Sequence, residues 1–476
     1  MSGGEEAAPS AVADSSSSLN QAGARSLREK LRGLGALPAA NATPAPPSLP
    51  ITRHPFTIHH SPLTPQQPDI ADLMPGFWQD TPDGRIFIVE QRFELDHLHG
   101  AIPLRRTLSA RGEIVARVGR NAALAGIAPE RVLYLDTETT GLAGGTGTYA
   151  FLVGIGHFCD GGFRLRQYFQ TDFGQEPALL RALADYLPAF DAVVTFNGKT
   201  FDLPLLETRF TINGLLRGQA HGPNVRELPH LDLLHPSRRI YRDRFASCRL
   251  GELEQQVLGL TRIEDVPGWE IPALYFRYVR TRRFRAVQPV FDHNALDVLS
   301  LVTLTAHLCD LFGGEGARGA EDRFALGRAC EADGLAGEAI ANYRAALEIG
   351  LGPALQHECE KRLSLLLRKL GRWEEAVEVW EAVAARPRNQ QLYAYIELAK
   401  FHERAARDFC RAAEYTRQAL ALVERHHLRF GAADAADREA LLARIARLEA
   451  RAEKAAAAAA RPARSRRKTA ARVALD

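Results

Sequence analysis

The chain has 476 residues, 46% apolar and 25% charged, which suits two or three soluble domains with their own cores. A net charge of +3 does not by itself announce a nucleic-acid partner, and no apolar run reaches the roughly 18–20 residues of a membrane span, so no membrane association is expected. The six cysteines are widely spaced and form no CxxC pair, which argues against a disulfide framework or zinc site and fits a reducing cytoplasm.

Residues 1–50 are rich in Ser, Ala, Pro and Gly, lack apolar periodicity and read as disordered. Residues 51–110 read as an N-terminal extension packed on the core; "GRIFIVEQRFEL" alternates as a strand or hairpin does, with a turn at "TPDG". Residues 111–312 alternate β-like runs (131–136, 149–158, 163–170, 192–196) with helical patterns (176–187, 202–211, 249–258, 294–308). Turn signals alone join the first three runs, as in an antiparallel meander, and helices then alternate with further strands. The expectation is a mixed α/β sheet flanked by helices. Residues 320–425 are helical throughout, and 426–476 read as helix followed by a basic disordered tail.

"GTGTYA" at 145–150 matches a dinucleotide fingerprint, but that motif needs a helix after it. A strand pattern follows instead, so a tight hairpin connection is expected, its glycines supplying positive φ. No nucleotide cofactor is expected.

The acids carry more. Asp136 and Glu138 stand two apart in "LYLDTETT", so a strand points both the same way. "VVTFNGKTFDLPLL" leads an apolar run to Asp202 at the start of a helical pattern, and "FDHNALDVLSLVTL" sets His293 and Asp297 four apart on one helix face. Singly, each has an ordinary reading: a helix N-cap for Asp202, a solvated face for Asp297. Together they form a carboxylate cluster, the donor set of hard divalent cations. Two such ions about 4 Å apart support phosphodiester hydrolysis. Asp232, in "LPHLDLLHPSRR", ends a short apolar run and is either an additional ligand or a partner of the arginines after it.

These stretches carry a resemblance. "DTETTGL" resembles the first motif of the DEDD-type 3′–5′ exonucleases, which have the ribonuclease H-like fold; "FNGKTFDLP" resembles their second motif, and "HNALD" sits where the third falls. More closely, the chain is similar to the YprB-like ribonuclease H-like proteins through "DTETTGLAGGTGTYAFLVG", "DLLHPSRRIY", "SCRLGELEQQVLGL", "EDVPGWEIPALYFRYVRT" and "HNALDVLSL", over roughly residues 80–310. The resemblance implies a ribonuclease H-like sheet, with Asp136, Glu138, Asp202 and Asp297 as catalytic acids holding two Mg2+ or Mn2+ ions. It also puts Thr139 and Asn197, inside the motifs, beside the nucleic acid. His293 departs from the pattern: H-x-x-x-D has the spacing of the tyrosine-type members, whereas histidine-type members have H-x-x-x-x-D. An imidazole there serves as general base or orients water, or else is structural beside Asp292.

"YFRYVRTRRFR" at 275–285 interleaves Arg277, Arg280, Arg282 and Arg283 with aromatic residues, a pattern that neutralises phosphate and stacks unpaired bases; its ordinary reading is a helix with a basic outer face and an aromatic core stripe. "RRIYRDR" at 238–244 adds a second basic cluster, and Lys199 lies inside the second motif. Farther on, Leu326, Gly327, Ala339, Tyr343 and Ala346 fit tetratricopeptide spacing, and Ala376 and Trp380 repeat it. Such arrays bind protein partners, or the helices merely cap the sheet domain. The expected function is a metal-dependent 3′–5′ exonuclease acting on single-stranded ends. The alternatives are a non-catalytic nucleic-acid-binding scaffold and a structure-specific endonuclease.

Overall fold

The computed structural model describes residues 70–141, 146–215, 227–317, 319–386, 391–430 and 435–459. The segment 1–50, Gly145 of "GTGTYA" and the basic tail after Ala459 lie outside the described residues.

After a single helical turn (α1, Ile70–Leu73), β1 (Gly76–Thr81) and β2 (Gly84–Glu94) form a hairpin about the "TPDG" turn. Gly84 closes it at φ 120°, a backbone conformation that L side chains rarely adopt. A two-residue ribbon, β3 (Leu98–His99) with β4 (Ile102–Pro103), and helix α2 (Gly112–Gly119) lead to the central meander. This comprises β5 (Val132–Thr139), β6 (Ala150–Cys159) and β7 (Gly162–Phe169). Helix α3 (Glu176–Tyr186) then precedes β8 (Ala192–Thr195), α4 (Asp202–Ile212) precedes β9 (His230–Asp232), and α5 is Leu234–Tyr241. The seven-stranded sheet has the order β1-β2-β7-β6-β5-β8-β9, antiparallel from β1 to β5, with β8 and β9 parallel to β5. The expected meander is present, and no helix follows Gly147: β6 starts at Ala150.

Alternation along β5 sorts the two covering layers. Leu133 and Leu135 face a core shared with α3 and α4; Tyr134 faces the opposite core. That second layer contains α6 (Leu250–Leu253), α7 (Ile271–Thr281) and the long α8 (Gln288–Phe312). Three boundaries differ from the sequence reading. Strand β5 runs on to Thr139, with a register shift between Glu138 and Thr139, a bulge that bends the strand beside the acids. The 249–258 helix turns after α6 into a π-helical turn, Glu254–Leu258, that ends at left-handed Gly259. Helix α8 begins at Gln288 because Pro289 sits in its first turn, where a missing N–H is harmless. That helix is also long and apolar enough to cross a bilayer, with a mean hydropathy of 1.5 over its most apolar window, contrary to the sequence reading. Yet 78% of that window is buried in the protein, as befits the central helix of a sheet core.

An all-helical region follows: α9 (Ala320–Ala332), α10 (Ala336–Ile349), α11 (Pro353–Lys369), α12 (Trp373–Ala384), α13 (Leu392–Arg404), α14 (Phe409–Phe430) and α15 (Ala435–Ala459). Successive helices pack on one another around buried Tyr343 and Trp380. Gly327 admits the Tyr343 ring: a Cβ there would lie 2.5 Å from it.

Candidate metal centre

The C-terminal ends of the parallel strands bring the acids together. Asp136 and Glu138 leave β5 on the side facing α8, while Thr137 points to the other side and donates its hydroxyl to Asp202 at the start of α4. Asp297 and His293 come from successive turns of α8. Glu138 and Asp202 are buried, and Asp136 and Asp297 are half-buried.

Each acid is pushed above the usual carboxylate range. For Asp136 the causes are burial, then the charges of Asp297 and Asp202. Glu138 is raised by burial and by Asp136, Asp297 and Asp202. Asp202 is pushed up to about 6, chiefly by burial, although the Thr137 hydroxyl pulls the other way. Asp297 is raised by burial against the opposing Arg262 charge. Four acids that repel one another in a desolvated spot fit a divalent cation, which removes that repulsion. Glu138, His293 and Asp297 each offer one donor atom within 4.8 Å of the others, a workable ligand group for such an ion.

A sequence model of the RNase_H superfamily matches residues 133–309, the stretch from β5 to α8. The uncharacterized protein YprB of Bacillus subtilis (strain 168) is 31% identical over 347 residues, which span 71% of this chain and 81% of that one. The chain belongs to the YprB family.

In this YprB-family chain the acids are set by neighbours that sequence reading missed. Asn294 donates to Asp136 Oδ2 at 2.8 Å and receives Gln167 Nε2 at 3.0 Å. Its place inside "HNALD", one position after His293, was the available signal. Arg262 is the larger omission. Its guanidinium donates to Asp297 Oδ1, to Asp265 Oδ2 at 2.9 Å and, through Nε, to Glu254 Oε2 at 2.6 Å. Glu254, buried in the π-helical turn, also accepts from Ser300. The sequence neighbours of Arg262 do not point to the centre, because the acid that ties it there, Asp297, lies 35 residues away.

Asp232 is fixed by backbone donors. Its carboxylate accepts the backbone N–H groups of Asn197 at 2.8 Å, Lys199 at 3.1 Å and Leu234 at 3.1 Å. It thereby anchors the turn that delivers Asp202, with Asn197 held at φ 66°. Asn197 and Lys199 are exposed, whereas the Thr139 hydroxyl is occupied by Gly141 O at 2.8 Å.

The basic segments divide. Arg277, Arg280 and Arg283 are exposed on and after α7. Arg282, also exposed, is left-handed at the helix end and donates to Thr171 O at 2.6 Å, which ties the end of α7 to the segment after β7. The interleaved aromatics are mostly core, not stacking platforms: Tyr275 stacks on Phe151 at 3.9 Å, Tyr278 and Phe284 are buried, and Phe276 is exposed. The cluster at 238–244 grips the helical region instead, with Arg239 on Asp333 at 2.6 Å and Arg244 on Asp322 at 2.8 Å.

Proposed function

We propose that this protein is a divalent-metal-dependent 3′–5′ exonuclease of the DEDD type that hydrolyses phosphodiester bonds at single-stranded ends. The observation that carries the reading is the convergence of Asp136, Glu138, Asp202 and Asp297 from β5, α4 and α8 in one desolvated cluster. Two ions of the Mg2+ or Mn2+ kind held there would lower the pKa of an attacking water and offset charge on the leaving oxygen. The chain's own work is orientation. Thr137 fixes Asp202, Asn294 fixes Asp136, Arg262 fixes Asp297, and Asp232 fixes the turn before Asp202.

Arg277, Arg280 and Arg283, with Lys199, supply exposed charge for the phosphates of one strand. Replacing the three arginines together should weaken binding for all sequences alike. It should also flatten the salt dependence, because each phosphate contact on a single strand releases about 0.7 counterion. An unchanged salt slope removes them from the interface. Buried Ala339, Tyr343, Ala376 and Trp380 at repeat spacing support a tetratricopeptide-like array for a protein partner; the cytoplasm is the proposed location.

The deciding experiment compares a 3′-end-blocked, an open and a circular oligonucleotide with and without Mg2+ or Mn2+. Only the open form should be degraded, and only with metal. Asp202→Asn and Asp297→Asn should each reduce the rate at least about a thousandfold, the order of a lost electrostatic anchor. Cleavage of circles would make the enzyme an endonuclease, and no cleavage of any form would favour a binding scaffold.

A further inference from the structure

We propose that His293 is itself a metal ligand, binding a transition-metal ion through Nε2 together with Glu138 and Asp297. The proposal rests on the metal-centre reading above and adds the chemical class of one of its ions. His293 Nδ1 lies 2.8 and 2.9 Å from the two oxygens of Asp265. An ionised carboxylate only accepts hydrogen bonds and stands closer to Nδ1 than the Arg262 Nη1 at 3.3 Å, so in the neutral ring Nδ1 carries the hydrogen and the lone pair is on Nε2. That nitrogen faces Asp297 Oδ2 at 3.5 Å, too far for a good hydrogen bond. It is the spacing expected of neighbouring ligands on one ion, since two bonds of about 2.1 Å place their donors roughly 3.0–3.5 Å apart. Glu138 offers a third donor within 4.8 Å of both.

The ring is locked in this pose. Asp265 receives Arg262 Nη1 at 2.9 Å, Arg262 hangs on Glu254, Ser300 donates to Glu254, and His99 Nε2 meets the Ser300 hydroxyl at 2.7 Å. A carboxylate that fixes one imidazole nitrogen while the other meets a metal is the usual support of a ligating histidine. Arg262 also occupies Asp297 Oδ1, which leaves Oδ2 turned toward His293. The unusual H-x-x-x-D spacing then has a reason: residues four apart on one helix face can share an ion. An imidazole in a set of carboxylates suits iron, cobalt, nickel or zinc better than magnesium, which demands oxygen and dehydrates reluctantly.

The test uses the full-length protein loaded with Mn2+ and reads the ion by pulsed electron paramagnetic resonance. A coupling from a directly bound 14N nucleus is expected in the wild type. It should vanish in His293→Ala, which retains weaker Mn2+ binding through the acids. Mn2+ bound without 14N coupling overturns the proposal and leaves the metal centre standing; no Mn2+ bound at all overturns both. Competition supplies a second readout. Wild type should prefer Co2+ to Mg2+, and Asp265→Asn should lower Co2+ affinity about 10–100-fold with a smaller effect on Mg2+. Equal losses for the two ions would count against a nitrogen ligand.

Discussion

Asp202 is pushed up to about 6 by burial, well above its ordinary 3.8. A carboxyl raised in the folded state binds its proton more tightly there than in the unfolded chain. The contribution of Asp202 to stability is therefore most favourable below pH 4 and is lost as pH rises through about 6, so its charge in the metal-free cluster destabilises the fold at neutral pH. Asp202→Asn keeps an oxygen for the Thr137 hydroxyl and removes the charge. Without metal it should stabilise the protein at pH 7, by on the order of 3 kcal/mol, and by far less at pH 4. Melting temperatures in chelator at the two pH values check this, and an equal effect at both would mean that charge is not what strains the site. With saturating Mn2+ the order should reverse, because only wild type gains the full binding energy. At this scale the sequence disclosed residues whose direction follows from a local period. Asp136 and Glu138 share a strand face, and His293 and Asp297 share a helix face. Arg262 and Asp265 stayed hidden because loop residues have no period, and Glu254 because the Ser300 and Arg262 that it meets lie outside its own helical turn. Asp232 was seen, but its three backbone donors come from turns whose geometry no residue pattern specifies.

Between elements, β6 approaches α8 closely. Gly154 pairs with Asp136 across the β5–β6 ladder, and a Cβ on it would lie 2.2 Å from Asn294 Oδ1. Glycine is required there so that Asn294 can reach across the sheet to Asp136. Gly154→Ala should push α8 outward, cost about 1–3 kcal/mol of stability as overpacking does, and weaken Mn2+ binding by displacing Asn294. If the melting temperature falls while Mn2+ affinity holds, Asn294 is a packing residue and does not position Asp136. The meander, the hairpin turn and the principal helices were legible because alternation and turn chemistry are local properties. Gly154 was not, because in sequence it is one more small residue in an apolar run. The aromatic segment at 275–285 shows the converse. Its composition suits a stacking surface, but Tyr275, Tyr278 and Phe284 occupy the core, and composition alone does not say which face of a helix is covered.

At the scale of the whole molecule, the helical region completes the core of the sheet domain. Leu311 and Phe312, at the end of α8, share one apolar cluster with Ala325, Leu326 and Ala329 of α9. Arg239 and Arg244 on and after α5 are paired with Asp333 and Asp322. A chain ending after Gly316 therefore exposes apolar surface and strands two arginines that had partners, while a chain ending after Gly350 keeps α9 and α10 over the same surface. The longer truncation should melt several degrees higher and stay monomeric. The shorter should aggregate or lose much of its stability, since each large apolar side chain uncovered forfeits about 1.5–3 kcal/mol. Equal melting temperatures would show that the helices merely dock. Retained Mn2+ binding by the longer form, beside loss of a protein partner, would assign the helices beyond α10 to recognition and the centre between β5 and α8 to chemistry.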